Sequence, residues 1–141
     1  MIEPQLYLKT VETYFEFLVD EFEFVLSEER LRGNVFYDVR YLRIDRLVSI
    51  SYENVEDYLV VAILLLDDGR VPRFDDLNKV FYLEKMTTIL FPQLGAEKIE
   101  TNANHFANLT PLSSIEKRLL KSARELRLCI RYFERIQKLI T

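Results

Sequence analysis

Apolar residues at the start of the chain recur with helical spacing. From Gln5 to about Phe22, at about 100° per residue, Val11, Tyr14, Phe15, Leu18, Val19 and Phe22 fall within one arc. This predicts an amphipathic helix with Pro4 in its first turn, where the missing N–H costs nothing. Glu12, Glu16 and Asp20 form an acidic stripe beside that arc, and Leu6 and Phe17 share a second apolar arc roughly opposite it. Near Phe24 the period drops to two. Arg32-Gly33-Asn34 then signals a turn, and Val35, Tyr37, Val39 and Tyr41 share one face of a strand. Val48, Ile50 and Tyr52 repeat the alternation, opposed by Ser49, Ser51 and Glu53. After Asn54–Asp57 comes the unbroken apolar run Tyr58–Leu66, which suits a strand buried on both faces and is far too short to cross a bilayer. Short polar connections favour antiparallel pairing, since parallel strands need long crossovers.

Residues 70–112 read less clearly. Val80–Leu83 fits a short fifth strand or part of a helix reaching about Leu90, whereas Pro92, Gly95 and the stretch Asn102–Thr110 argue for irregular chain. Ser113-Ser-Ile-Glu116 has the form of a capping box, in which hydroxyl and carboxylate satisfy the first N–H groups of a helix. The helix it opens carries Ile115, Leu119, Ala123, Leu126, Ile130, Phe133, Ile136 and Ile140 on one face. The pattern predicts an α+β fold: an antiparallel four- or five-stranded meander with an N-terminal and a long C-terminal helix packed on one face. At 141 residues a single domain over residues 1–141 is expected, because two separate cores would each be marginal.

Composition adds exclusions. Hydrophobic residues make up 49% of the chain and charged residues 30%, values that exclude a disordered tail. Met1-Ile-Glu-Pro-Gln has neither a basic nor an apolar leader region, and the lone Cys129 cannot form an internal disulfide, so a cytoplasmic location is expected. The net charge of −4 is unevenly spread: residues 113–141 carry eight Lys/Arg against three Glu, so this segment holds +5 and the rest of the chain −9.

Candidate chemistry is sparse. His105 is the only histidine and has no Cys or second His near it, so no metal site is expected. No nucleophile motif accompanies it, and Cys129 sits on or beside the apolar face of the last helix, the setting of an inert buried thiol. Gly33, Gly69 and Gly95 are too scattered for a phosphate-cradling loop, and no cofactor is expected. Asp67, Asp68, Asp75 and Asp76 crowd one loop without the alternate spacing of a calcium site. They leave a carboxylate-dependent enzyme as an alternative, to be judged by whether they line a pocket. Two surfaces are partner candidates: the basic stripe Lys117, Lys121, Arg124, Arg131 and Arg135, which reads first as a solvated face partly paired with the acidic stripe of the first helix and otherwise suits an acidic protein, and the apolar pair Leu6 and Phe17, which suits the C-terminal segment, a partner or a second copy. The acidic remainder would repel phosphate, so neither nucleic acid nor membrane is expected.

Leu18-Val-Asp-Glu-Phe-Glu-Phe24, followed by Val35-Phe-Tyr37 and Val48-Ser-Ile-Ser-Tyr-Glu53, resembles a pattern found in small uncharacterised bacterial proteins, some of them similar to immunity proteins of polymorphic toxin systems. The resemblance covers roughly residues 14–83 and rests on the apolar pattern. It implies a non-catalytic protein that neutralises a toxin by binding it, and it transfers no catalytic residue. Glu23 stands where those proteins usually have glycine.

Overall fold

The computed structural model describes residues 1–140. The chain forms two compact units, one spanning Met1–Tyr82 and one beginning at Leu83.

The first unit is built on an antiparallel sheet of five strands in sequence order: β1 (Val25–Arg32), β2 (Phe36–Leu42), β3 (Arg46–Glu53), β4 (Tyr58–Leu65) and β5 (Val80–Tyr82). The register sets Val39 opposite Ile50 and Ile50 opposite Val61, so alternate side chains on neighbouring strands share a face. The first face carries Tyr37, Val39, Tyr41, Val48, Ile50 and Tyr52, all buried. Helix α1 (Pro4–Tyr14) lies on it. The Tyr7 hydroxyl donates to the Ile50 carbonyl at 2.9 Å, and the Tyr7 ring packs 5.1 Å from that of Tyr37 and 6.0 Å from that of Tyr52. Burial, with the negative charge of Asp38 as the next contribution, pushes the Tyr7 phenol well above its ordinary pKa. The chain start is fastened by Asn54, whose Oδ1 accepts from the Ile2 N–H at 3.1 Å while the Tyr37 hydroxyl donates to the Ile2 carbonyl at 2.8 Å.

The predicted helix through Phe22 is interrupted. α1 stops at Tyr14, and a single turn, α2 (Phe17–Asp20), follows. The break resets the angular phase. Val19, expected inside, is 46% exposed, and Phe17, expected on an outward arc with Leu6, is only 2% exposed. Phe17 packs instead beside the rings of Phe15 and Phe22. Glu23 then adopts φ 64°, the left-handed conformation that favours glycine, and turns the chain into β1. Every residue of β1 is exposed. It is the edge strand, bonded to β2 alone and bulged between Leu26 and Glu28.

The second unit is helical. α3 (Leu83–Leu90) follows β5 directly, so Val80–Leu83 is both the end of the sheet and the start of a helix. A 3-10 turn at Phe91–Gln93 leads to α4 (Ala96–Asn104), which corrects the expectation of irregular chain over part of Asn102–Thr110. α5 (Ser114–Arg131) opens on the expected cap, with the Glu116 N–H donating to the Ser113 hydroxyl at 3.2 Å and that hydroxyl donating to Glu116 Oε1 at 2.8 Å. The long C-terminal helix is broken at Tyr132, after which α6 (Phe133–Ile140) begins. Within this unit α3 packs on α5 and α6, and α4 packs on α5. Asn102 ties α4 to α5 by donating to the Arg124 carbonyl at 2.9 Å and accepting from Arg127 Nη1 at 2.9 Å.

Candidate binding surface

The second face of the sheet is divided. At one end Leu47, Ala62, Leu64 and Val80 are buried together, with Leu42, Leu66 and Tyr82 packed against them. At the other end the same face is polar and hollow. Ser49 and Ser51 sit on β3 with their neighbours Asp38 and Arg40 on β2, while Arg30 on β1 and Tyr58 and Val60 on β4 complete the surround. Phe36 and Tyr82 stand at its margins. Phe74 reaches over from the β4–β5 connection, which Tyr82 holds by donating its hydroxyl to the Phe74 carbonyl at 3.3 Å. The result is an open concavity of about 490 Å³, inside the range of ligand-binding clefts.

The shape follows from side-chain length. Two serines occupy the middle of the sheet, where their short side chains leave a floor one or two bonds deep. Arginines and aromatics on the flanking strands rise around them. The floor is also wired. The Ser49 hydroxyl donates to Asp38 Oδ1 at 2.8 Å, and Arg40 Nε donates to Asp38 Oδ2 at 2.8 Å. The Asp38 and Arg40 side chains are only 5% and 11% exposed, so this is a nearly buried ion pair with a third, neutral partner. Both Asp38 oxygens are engaged, whereas Arg40 uses one nitrogen. Its terminal nitrogens hydrogen-bond to no other described residue. At the rim the guanidinium of Arg30 pairs with Glu28 on the same strand, and that of Arg32 lies 5.9 Å from the centre of the Phe36 ring. Tyr58 is 64% and Phe74 44% exposed, both large for aromatic side chains.

The residues singled out from the sequence lie elsewhere. Lys117, Lys121, Arg131 and Arg135 are exposed on the helical unit. The break at Tyr132 places the first three on α5 and Arg135 on α6, where its guanidinium stacks 5.0 Å from the Tyr132 ring. Arg124 is half-buried. Leu6 is 47% exposed on α1, but buried Phe17 does not join it in one patch. The four aspartates of the β4–β5 connection do not line the concavity. Asp67 pairs through its backbone with Arg70 in a turn, and Asp75 faces Arg73 at 3.5 Å with both side chains in solvent. His105 is exposed beside Phe106, and burial pushes the Cys129 thiol far up in pKa, so it stays protonated. Among the described residues there is no cluster of three or more His, Cys, Asp or Glu able to hold a metal ion, and no helix long and apolar enough to cross a membrane.

No protein-family model matches the chain, and no curated protein or solved structure matches it either.

Proposed function

We propose that this is a non-catalytic binding protein whose working surface is the polar end of the second sheet face, and that its partner is a protein. The observation that carries the reading is the coincidence, at one hollow, of exposed Tyr58 and Phe74 with Arg30 and Arg40. Tyrosine and arginine are the residues that concentrate binding energy in protein interfaces, and lysine, depleted there, does not line this concavity. The hollow holds one hydroxyl–carboxylate pair, Ser49 donating to Asp38, but both Asp38 oxygens are engaged and its lining has neither a histidine nor a second carboxylate, the partners on which acyl and glycosyl transfer ordinarily depend. An immunity-type role, the neutralisation of a bacterial toxin by occlusion, is the form of protein binding that best suits a site rich in contacts and poor in chemistry. It also accords with the sequence resemblance. The basic stripe of α5 and α6 is a second surface suited to an acidic region of such a partner.

The direct test uses the product of the gene adjacent to the one encoding this chain. Co-expression should relieve that product's toxicity, and calorimetry should give a saturable one-to-one complex. Tyr58→Ala should weaken the complex by roughly tenfold or more, as expected for an aromatic anchor. Absence of both protection and binding would sink the proposal.

A further inference from the structure

The concavity also indicates which part of a partner it accepts. Asp38 contributes negative charge to the site but cannot present it. One oxygen takes the Ser49 hydroxyl, the other takes Arg40 Nε, and the side chain is 5% exposed. Arg40 is in the opposite position. Its Nε is anchored, which fixes the guanidinium plane, and its terminal nitrogens have no acceptor among the described residues. What is displayed to an incoming group is therefore the free, pre-oriented edge of a guanidinium whose charge is balanced from behind by Asp38, and such an edge can bind a planar anion with two parallel hydrogen bonds. Arg30 at the rim adds a second cation, but one already neutralised by Glu28. Two guanidiniums, each already paired with one carboxylate, match a single negative charge better than a doubly charged phosphate. Around it Phe36, Tyr58 and Phe74 supply ring surfaces, so the group next to the anion is apolar.

We infer that the concavity is the anchor pocket of the binding surface and that it receives a carboxylate side chain of the partner protein, flanked by an aromatic or aliphatic residue, with the carboxylate on Arg40. This rests on the assignment of the sheet face as the working surface.

Benzoate is a suitable probe because it carries a carboxylate and a ring and nothing else. Titrated into the isotopically labelled full chain, it should shift the nuclear magnetic resonance signals of Arg40 Nε and of the Ser49 and Ser51 amides, saturating at roughly millimolar concentration, as its few heavy atoms allow. Benzamide, isosteric and uncharged, should bind at least tenfold more weakly. Benzoate should also compete with the partner in the pull-down. Arg40→Lys, which keeps a charge beside Asp38, should lower benzoate affinity at least fivefold. Arg30→Gln, at a half-exposed rim position, should lower it less.

Equal binding of benzamide, tighter binding of inorganic phosphate, or shifts confined to the helical unit would overturn the pocket. If partner binding is lost on Tyr58→Ala but untouched by Arg40→Lys, the surface stands and the carboxylate anchor falls. If both variants bind the partner as the native chain does, the surface itself is wrong.

Discussion

Removal of Arg40 is the most informative perturbation of the molecule. Arg40→Met keeps the aliphatic stem and deletes the charge, leaving Asp38 at 5% exposure with the Ser49 hydroxyl as its remaining polar partner. Breaking a buried pair from one side costs about 3–5 kcal/mol, because the surviving charge has lost its solvation and its counter-ion together. The retained Ser49 bond, itself charge-assisted, puts the expectation at the lower end, about 3 kcal/mol. Ser49→Ala alone should cost about 1.5 kcal/mol. Arg40→Met combined with Asp38→Leu removes both charges and should be close to neutral or more stable than the native chain, recovering the loss of about 3 kcal/mol caused by Arg40→Met alone. Urea unfolding followed by tyrosine fluorescence suits this chain. It has no tryptophan, and seven of its eight tyrosines lie between Tyr7 and Tyr82, so the signal reports mainly on the sheet unit. With a slope of about 1.5–2 kcal/mol per molar urea, Arg40→Met should lower the midpoint by about 1.5–2 M. A loss below about 1 kcal/mol, or a double variant as unstable as the single one, would refute the claim that Asp38 is charged and dependent on Arg40.

Three further outcomes are expected. Glu23→Gly relieves a left-handed residue and should stabilise the chain by about 0.5–1 kcal/mol, the relief being partly offset by the greater freedom of glycine in the unfolded state; a net loss in the same urea assay would contradict the strain argument. Glu29 has its pKa raised by partial burial and by neighbouring Glu12. Its ionisation therefore opposes folding, and stability present below the unfolded carboxylate pKa is lost as pH rises through the folded value. Glu29→Gln should raise the melting temperature at neutral pH and lose that advantage in mild acid, whereas a pH-independent effect would rule out the carboxylate contact. Cys129, buried on α5 with its thiol pKa raised by burial and by Glu125, should resist alkylation in the native state and react freely in denaturant. Rapid native labelling would mean that the helical unit opens far more readily than its packing implies.

The sheet was legible because its first face obeys a strict period of two. Tyr37, Val39 and Tyr41 on β2 and Val48, Ile50 and Tyr52 on β3 are all buried, as alternation requires. The apolar run of β4 follows the same logic only in part. Val61–Leu64 are buried, but Tyr58 is exposed, since a continuous run cannot reveal that one end of a strand borders a hollow. The helix breaks were hidden because neither carries a glycine or proline. At Phe15 and again at Tyr132 the helix ends on ordinary residues, and the apolar spacing runs on across the gap. α4 escaped because its sequence, AEKIETNAN, has almost no apolar stripe. Its one fully buried residue, Asn102, is inside by virtue of hydrogen bonds to α5, a tertiary cause that periodicity does not carry. The site was missed for a related reason. Asp38 and Arg40, two apart on a strand, look like a solvated face. The available signal was the pair Ser49 and Ser51, short polar residues central in a sheet whose neighbours carry long side chains.

The sizes involved indicate how far a partner must extend. The exposed fractions of Tyr58 and Phe74 together amount to about one aromatic side chain, roughly 200 Å², whose covering yields on the order of 5 kcal/mol. Association alone costs on the order of 4–15 kcal/mol, so a ligand confined to the concavity binds weakly, consistent with the millimolar expectation for benzoate. A stable complex needs about 800 Å² on each side. The adjoining surface able to supply it within this unit is the edge strand β1, exposed at all eight positions and bringing Arg30 and Arg32 to the same face as Arg40. Its bulge, together with the charges at Glu28, Glu29, Arg30 and Arg32, discourages unspecific strand addition, while side chains on its second face remain exposed to a partner. Substitutions at Arg32 should therefore weaken the complex without altering benzoate binding, a separation that a small-molecule pocket with no protein partner could not produce.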